Sequence, residues 1–347
     1  MAHILVIRFS ALGDVAMTVP ILYSVAKHYP MHEFTFLSKD NHAPLFEHMP
    51  KNVHFRGVNL QYYRGLTGLL ELFHQLEKEH YDAVADLHDV LRSKVLRWAF
   101  KLKGVPEAHI LKNRRARKAL VRRENKVFQP LRSSQERYAD VLANLKCPVD
   151  IDFRSIFGGE LPALPEEVKA VTGTQKGKMW VGVAPFARHE GKIYPLPLMR
   201  KVLEELGSKL DIRLFLFGFG EKERAWSEQC EWELPGVTSL VGKFDMGREL
   251  VLMSHLDVML TMDSANMHLA SLVNVPTVSV WGATHPYAGF GGFQVKGSEM
   301  VQLPMECRPC SVYGKAPCYK GTGECMAKIP PTMVVDAVLK FYKKEKE

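Results

Sequence analysis

The sequence lacks any apolar run long enough to cross a bilayer, which takes about 20 residues. Its first apolar run, His3 to Phe9, is short and β-branched, and no positive charge precedes it and no small-residue cleavage site follows. That run predicts a strand and argues against a signal peptide. There is also no short-period repeat and no low-complexity tract. The 46% hydrophobic and 24% charged fractions are those of a soluble globular protein, and the length of 347 residues predicts two ordinary-sized domains.

The sequence also lacks the three spaced glycines of a dinucleotide-binding loop. The loop after the first predicted strand reads SALGD, with a single glycine, Gly13, followed by Asp14. Gly13 permits a tight turn where a ligand can approach the backbone. Asp14 stands where a helix should start, and an aspartate there is, taken alone, usually a helix cap.

Strand-like and helical stretches alternate along the chain, which is typical of parallel βαβ units. The alternation lapses between residues 148 and 177, where proline and glycine are frequent, and then restarts. We therefore predict an α/β fold of two doubly wound halves. The predicted domains are residues 1–165 and 176–330, followed by a C-terminal helix over residues 331–347. Ligands in such sheets bind at the carboxyl ends of the strands.

Two further loops carry polar residues directly after predicted strands. The first, APFARHEGKIYP, holds Arg188 and Lys192, which suit an anion. The second, MDSANMHLA, places Asp263 at the end of an apolar strand and backbone amides at the start of the next helix. Taken singly, each of these residues can have a purely structural role: the aspartate as a helix cap, the basic residues as surface charges, and the histidine of the second loop as a buried core residue. Together, three such loops at one edge of two sheets predict a binding site.

Charge and cysteine are unevenly distributed. The net charge is +8, and the run KNRRARKALVRRENK, residues 112–126, predicts either a phosphate-binding surface or a solvated helix face. The run has no interleaved aromatic residues and matches no nucleic-acid-binding motif, so nucleic acid is not expected as a partner. Four of the six cysteines have the spacing C-x2-C-x7-C-x6-C, at Cys307, Cys310, Cys318 and Cys325. That spacing fits a structural zinc site or reduced thiols, and both readings stay open.

Two segments together carry a resemblance to a known family. IRFSALGDVAMTVP near the start and DSANMHLASLVNVPTVSVWGATHP near the end closely resemble the lipopolysaccharide heptosyltransferases, and DLHDVLRS and the cysteine pattern support the match. The resemblance extends from residue 2 to about residue 335. It implies a GT-B fold of two Rossmann-like domains facing across a cleft. It also implies inverting heptose transfer from ADP-heptose to a phosphorylated lipopolysaccharide core, without metal or cofactor, by a cytoplasmic enzyme peripheral to the inner membrane.

The resemblance assigns roles residue by residue. Asp14 matches the general base that removes the proton of the acceptor hydroxyl. Lys192 matches the lysine that contacts the donor phosphates, and either Glu221 or Glu223 matches the glutamate on the nucleoside. The other donor residues are Arg188, Asp263, Ser264, Ala265, Asn266 and His268. The candidate acceptor residues are Gly13, Arg64, Arg92, Ser93 and Arg115, with Arg92 ranked first.

The sequence departs from the family pattern in two places. Ala265 stands where glycine is usual, and Pro185, Phe186 and Ala187 replace the usual glycine- or hydroxyl-bearing phosphate loop. These departures leave the exact donor open, so one alternative is a transferase of the same fold that uses another nucleotide sugar. A second alternative, from another class, is a non-catalytic protein that binds anionic glycolipid, and the presence of Asp14, Lys192 and His268 together argues against it.

Overall fold

The structure, a computed structural model, describes residues 1–174, 177–293 and 295–343. The chain forms two compact units. The first consists of Met1–Lys112 and Arg132–Ile156, and the second of Asn113–Leu131 and the described residues from Phe157 onward. No helix in the described part is long and apolar enough to cross a membrane.

A sheet of five parallel strands, in the order β3-β2-β1-β4-β5, forms the first unit. Parallel strands covered on both faces read as continuous apolar runs, and β1 is accordingly buried at every position after its first residue. In register, Ile7 at the end of β1 lies beside Asp86 at the end of β4. The strands are β1 (His3–Ile7), β2 (Glu33–Lys39), β3 (Val53–Val58), β4 (Ala83–Asp86) and β5 (Glu107–His109).

Helices cover this sheet. Ser133 begins the last of them with a capping box: its hydroxyl accepts the N–H of Glu136, whose carboxylate accepts the N–H of Ser133. The helices of the first unit are α1 (Leu12–Ala16), α2 (Val19–His28), α3 (Gly65–Glu77), α4 (Leu91–Leu102) and α6 (Ser134–Asn144), and the intervening α5 (Arg114–Leu120) belongs with the second unit. A 3-10 helix spans Asp40–Phe46.

Six parallel strands form the sheet of the second unit, in the order β11-β10-β9-β6-β7-β8. Ala184 at the end of β6 lies beside Thr261 near the end of β9. The strands are β6 (Met179–Ala184), β7 (Ile212–Leu216), β8 (Val237–Ser239), β9 (Val258–Met262), β10 (Thr277–Val280) and β11 (Glu299–Val301). The short edge strand β11 was not foreseen from the sequence.

The helices of the second unit complete its core. The last helix contributes Val334, Val335 and Val338 to the same apolar cluster as the strands. The helices are α7 (Glu166–Thr172), α8 (Leu196–Gly207), α9 (Glu221–Glu233), α10 (Met246–Ser254), α11 (Ala265–Leu272), α12 (Glu324–Ala327) and α13 (Pro331–Lys343). Short 3-10 helices span Glu190–Lys192 and Pro286–Ala288.

The units differ in extent from the predicted domains. The sequence division placed residues 113–131 in the first domain and set residues 331–347 apart. In the structure residues 113–131 group with the second unit, and α13 packs into its core. Residue 176 and residues 344–347 lie outside the described residues. The assignment of one domain to the acceptor and the other to the donor, and the cleft between them, stay predictions.

The α/β class and the doubly wound arrangement of both halves are confirmed. In each sheet the first strand of the unit lies centrally, and the strand order reverses beside it, between β1 and β4 and between β6 and β9. Such a switch point opens a crevice at the carboxyl ends of the two strands, where ligands of open α/β sheets bind. The loops after these four strands are therefore the candidate site segments.

Candidate active site

Asp14 lies in the first turn of α1, just after the switch-point strand β1. Its Oδ2 accepts a hydrogen bond from the backbone N–H of Ala11 at 3.3 Å and lies 2.9 Å from the Arg8 guanidinium. Both contacts use the same oxygen, and the Asp14 side chain is 28% exposed. Asp14 thus stabilises the start of a helix and still presents part of its carboxylate to solvent.

Arg8, which sequence reasoning did not select, anchors this carboxylate. Its guanidinium is buried, donates to the carbonyl oxygen of Leu87 at 2.6 Å and lies 5.6 Å from the centre of the Tyr138 ring. Burial lowers the pKa of Arg8, but Tyr138 and Asp14 oppose it, and the pKa is raised overall. The signal available in the sequence was a single arginine at the end of an otherwise apolar, buried segment.

The loop after β4 builds the other side of this switch point. Oδ1 of the buried Asp86 accepts the backbone N–H groups of His88 at 2.9 Å and Asp89 at 2.8 Å. Nδ1 of His88 accepts the N–H of Phe9 at 3.4 Å. Burial, with the nearby charge of Arg8, lowers the pKa of His88 to about 3. A neutral imidazole therefore lies close to the Arg8–Asp14 pair at neutral pH.

The predicted acceptor residues are only partly gathered at this edge. Arg92 is exposed in the first turn of α4, directly after the β4 loop, and Arg64 is exposed just before α3. The Ser93 hydroxyl is buried, and it accepts the N–H of Val90 and donates to the Val90 carbonyl oxygen, each at 3.1 Å. The structure thus uses Ser93 to stabilise the start of α4.

Gly13 and Arg115 take different positions. Gly13 lies inside α1, next to Asp14, and its φ is not in the left-handed region. Arg115 is exposed on α5, which belongs to the second unit and not to the first, where the acceptor was predicted to bind.

In the second unit, Lys192 and Asp263 meet between the loops that follow β6 and β9. Lys192 Nζ lies 2.8 Å from Asp263 Oδ2, which also accepts the Thr284 hydroxyl at 2.8 Å. The Asp263 side chain is 4% exposed and that of Lys192 is 15% exposed. The buried carboxylate therefore fixes the position of the ammonium group of a side chain that is only partly buried.

The start of α11 adds backbone donors beside this pair. Ser264, Ala265 and Asn266 are half-buried, and the Ser264 hydroxyl shares a hydrogen bond with Thr261 at 3.1 Å. The first N–H groups of a helix have no acceptor within it and point toward a region that favours negative charge. His268 follows one turn later and is buried. A Cβ at Gly292, whose φ is +72°, would lie 2.6 Å from His268 Nδ1, so this loop needs glycine.

Three cations lie near His189 in the loop after β6. Burial lowers the pKa of His189, and the charges of Arg188, Lys192 and Lys315 lower it further. Arg188 is exposed, and Lys315, which the sequence did not single out, comes from far along the chain. Positive charge beside free helical N–H groups is what an anion such as a diphosphate requires.

The unusual composition of this loop has a packing reason. Phe186 meets Trp226 of α9 edge to face, with ring centres 5.4 Å apart, and Ala187 packs against the apolar core. Aromatic packing therefore holds this segment, where the family pattern has small or hydroxyl-bearing residues. The residues predicted to bind an anion, Arg188 and Lys192, lie beyond Ala187 in the same loop.

The two candidate nucleoside glutamates differ in their contacts. Glu223 Oε2 accepts the backbone N–H of Phe219 at 2.7 Å, and burial raises the pKa of its carboxyl group. Glu221 is exposed at the first position of α9. Glu223 is thus engaged in shaping the β7–α9 loop, whereas Glu221 faces solvent at its end.

Comparison with known proteins agrees with this architecture. Residues 69–317 match the model of glycosyltransferase family 9 (heptosyltransferase). The chain is 24% identical to lipooligosaccharide heptosyltransferase 2 of Campylobacter jejuni over 94% of this chain and 93% of that protein. The structure is similar to a family 9 glycosyl transferase from Veillonella parvula, with a TM-score of 0.74, 17% identity and coverage of 99% and 98%.

A second solved structure is the Escherichia coli heptosyltransferase WaaC with ADP-2-deoxy-2-fluoro heptose, with a TM-score of 0.68, 16% identity and 99% coverage of both chains. These structures share the fold of two Rossmann-like units. The predicted resemblance and the enzyme class are confirmed by the family match, which spans more than half of the chain. The chain belongs to glycosyltransferase family 9, the heptosyltransferase family.

Proposed function

We propose that this enzyme transfers heptose from ADP-heptose to a hydroxyl of the lipopolysaccharide inner core, with inversion and with Asp14 as general base. The observation that carries the proposal is the Arg8–Asp14 pair after β1. The buried arginine fixes one carboxylate oxygen while the side chain remains partly exposed. A general base needs this combination of fixed orientation and access to the reacting proton.

In the proposed reaction the acceptor hydroxyl hydrogen-bonds to Asp14 Oδ1. Its oxygen attacks the anomeric carbon of the heptose from the face opposite the diphosphate, and its proton passes to the carboxylate. The bond from the anomeric carbon to the phosphate oxygen breaks, and ADP leaves with that electron pair. In an oxocarbenium-like transition state the hydroxyl becomes acidic as its bond forms, so a carboxylate suffices as the base.

The second unit supplies charge stabilisation for the leaving group. We assign the diphosphate to Lys192, Arg188 and the N–H groups at the start of α11, with His268 as a further hydrogen-bonding group. Asp263 acts through Lys192, whose ammonium it holds at 2.8 Å. Preorganised donors of this kind stabilise developing negative charge without reorganising during the reaction.

We assign the nucleoside to Glu221 and not to Glu223. The Glu223 carboxylate already accepts the N–H of Phe219, whereas Glu221 is exposed at the same loop. Replacing each with glutamine separates the two. The assignment requires a weaker ADP affinity in Glu221→Gln, and an affinity change confined to Glu223→Gln would contradict it.

The exposed basic residues are proposed to contact the phosphorylated acceptor and the anionic inner-membrane surface. Arg92 and Arg64 are exposed in the first unit, just after β4 and β3 in the chain. Within residues 112–126, Arg114, Arg115, Lys118 and Arg122 are exposed, whereas Arg117 is buried and donates to the Tyr313 hydroxyl at 2.8 Å. Arg117 is therefore a structural residue within this basic segment.

The experiment is to incubate the purified enzyme with ADP-heptose and lipopolysaccharide acceptors truncated at successive core positions, and to follow the acceptor mass. The proposal expects one added heptose on one acceptor class. A second candidate, transfer from another nucleotide sugar, follows from Ala265, whose methyl group occupies the helix start beside the predicted diphosphate. A panel of other nucleotide sugars tests it, and consumption of one of these with no heptose transfer would replace the first proposal.

A further inference from the structure

The outward face of α4 (Leu91–Leu102) is apolar, although a helix on a protein surface usually turns charged and polar residues to solvent. Leu91, Trp98 and Leu102 are 75%, 51% and 89% exposed. At about 3.6 residues per turn, positions 91, 98 and 102 lie within about 40° of one another around the helix. Together with the partly exposed Val95 they form one row along the helix, which we call the α4 stripe.

The buried side of α4 is the side opposite this stripe. The buried residues of the helix are Ser93, Leu96, Arg97 and Phe100, and their positions centre about 180° from those of the stripe. Leu96 and Phe100 join the apolar core of the first unit, and the Phe100 ring lies 4.9 Å from that of Phe73 in α3. The inner face therefore fastens α4 to the unit, while the α4 stripe faces solvent. A contiguous exposed apolar row is a feature of interaction surfaces.

Basic residues border the α4 stripe on both sides. Arg92 and Lys103 lie about 100° to 120° from Leu91 around the helix, and Lys94 and Lys101 lie about 60° to 80° from it in the other direction. The helix itself contains no acidic residue. The α4 stripe is thus an apolar row between two rows of positive charge.

The carboxylates that pair with these lysines lie deeper in the surface than the lysines do. The pairs are Lys101–Glu107 at 3.2 Å, Lys94–Asp89 at 3.4 Å and Lys103–Glu77 at 2.6 Å. In each pair the lysine side chain is the more exposed member, and Arg92 is exposed as well. The outermost charge beside the stripe is therefore positive, which complements an anionic surface.

We propose that α4 docks the first unit on an anionic lipid surface, with the helix in the plane of the interface. Trp98, Leu91 and Leu102 enter the boundary between headgroups and acyl chains, and the flanking cations contact the headgroups. Leucine and tryptophan on one face of a helix, beside lysine and arginine, are typical of helices that lie in a membrane interface. Lysine and arginine can keep their charge in the headgroup layer while their stems lie along apolar surface.

The charges favour lipid over a second copy of this chain as the partner. Two copies that met through the α4 stripe would bring their rows of cations together, and juxtaposed like charges oppose association. A stable interface between proteins also buries about 800 Å² on each partner, more than one row of four side chains presents. Lipid headgroups supply negative charge along both edges of the stripe at once.

This inference rests on the proposed function for its membrane partner, and it adds the face that docks and the apolar contact. α4 begins directly after the loop that follows β4, and the predicted acceptor residue Arg92 lies in its first turn. Docking through α4 would therefore hold this loop beside a membrane, where a lipid-anchored acceptor is found.

The test measures lipid binding in the absence of any sugar chemistry. The full-length enzyme is mixed with vesicles of phosphatidylethanolamine and phosphatidylglycerol, or of phosphatidylcholine alone, and bound protein is measured by flotation. We expect binding to the anionic vesicles that weakens as salt rises, because salt screens the flanking cations. No binding to anionic vesicles, or equal binding to both kinds, would overturn the proposal.

Variants identify the face that binds. Trp98→Ser and Leu102→Ser remove apolar surface that the proposal buries in lipid, and each should weaken binding at least about 10-fold. Trp232→Ser and Leu210→Ser are matched controls, because these residues are 90% and 89% exposed in the second unit. All four positions are exposed, so the melting temperature should not change. Binding by Trp98→Ser and Leu102→Ser equal to that of the controls contradicts the proposal.

Two further measurements separate the alternatives. Sedimentation velocity without lipid tests self-association: a wild-type dimer that Leu102→Ser converts to monomer would make the α4 stripe an interface between copies and overturn the lipid proposal. Heptose transfer to a water-soluble core fragment should be equal in wild type, Trp98→Ser and Leu102→Ser. If no variant transfers heptose but vesicle binding still depends on the stripe, the proposed function fails and the docking surface stands.

Discussion

Each switch point of this enzyme carries an ion pair of one basic residue and one aspartate, and the two pairs differ in which member is buried. Arg8 and Asp14 lie 2.9 Å apart after β1, and Lys192 and Asp263 lie 2.8 Å apart across the loops after β6 and β9. In the first pair the cation is the more buried member, at 9% exposure against 28% for Asp14. In the second the carboxylate is the more buried member, at 4% against 15% for Lys192.

This inversion separates the proposed roles of the two units. A buried charge must be paired, so the buried member of each pair serves as the anchor and the other reaches solvent. The first unit thereby presents a carboxylate, which can accept a proton. The second presents an ammonium group among further cations, which suits a diphosphate. In our proposal, a pair of one cation and one carboxylate serves acid–base chemistry where the cation is buried and anion binding where the carboxylate is buried.

The strongest test of the comparison removes the accessible carboxylate. Asp14→Asn keeps a hydrogen-bond acceptor for Ala11 but cannot take up a proton, so kcat should fall about 10²- to 10⁴-fold. ADP affinity, measured by calorimetry, should be unchanged. Asp150→Asn, an exposed position in the same unit, is the matched control. If Asp14→Asn keeps its turnover, Asp14 is not the general base and serves only to stabilise the start of α1.

The corresponding test in the second unit removes the accessible ammonium group. Lys192→Ala should lower kcat about 10²-fold and weaken ADP binding, because the departing diphosphate loses a preorganised cation. Lys201→Ala, on the exposed side of α8, controls for loss of positive charge. If both variants weaken ADP binding equally, the effect is one of general charge and the Lys192 assignment fails.

A smaller effect is expected from changing the anchor and keeping its charge. Arg8→Lys retains the ion pair but loses the planar fork that bonds both Leu87 and Asp14. We expect a loss of about 1 to 2 kcal/mol in unfolding free energy and a fall of about 10-fold in kcat, with the donor KM unchanged. Arg154→Lys, exposed in the same unit, should behave as wild type. A rise in donor KM would place Arg8 in a different role.

The smallest expected effect concerns pH and the neutral His88 near the first pair. Burial lowers the pKa of His88 from 6.5 to about 3. Between pH 3 and pH 6.5, His88 therefore binds a proton in the unfolded chain but not in the folded chain. The stability contribution is complete above about pH 6.5 and is lost as pH falls toward 3. His88→Gln should therefore reduce the acid dependence of unfolding by up to about 1.4 kcal/mol per pH unit. The exposed His28→Gln serves as the control, and an unchanged slope in His88→Gln would show that His88 is protonated in the folded state.

Much of the fold followed from local pattern. The apolar run of β1, the serine that begins α6 and the polar loops after β6 and β9 are all readable because strand burial, helix capping and loop composition act over a few residues. The short strand β11 was missed because three residues carry too little periodicity. Residues 113–131 were placed with their neighbours in sequence, although Lys126 bonds to backbone around residue 308.

The candidate site was predictable at the positions that present charge to solvent, and less so at those that hold them. Asp14 and Lys192 stand in recognisable loops. Arg8 was overlooked because its role depends on the carbonyl oxygen of Leu87, 79 residues away. Lys315 was overlooked for the same reason, since only folding brings its charge to the loop of His189.

The sequence by itself determined that this chain forms two doubly wound halves and which family it belongs to, and it predicted which loops form the candidate site. These properties follow from the spacing of hydrophobic residues, from the points where strands give way to loops, and from the two motifs near the ends of the chain. Only the tertiary structure decided which member of each ion pair is buried. Burial of a side chain is set by the strands and loops that pack around it, and at both switch points those neighbours come from distant parts of the chain.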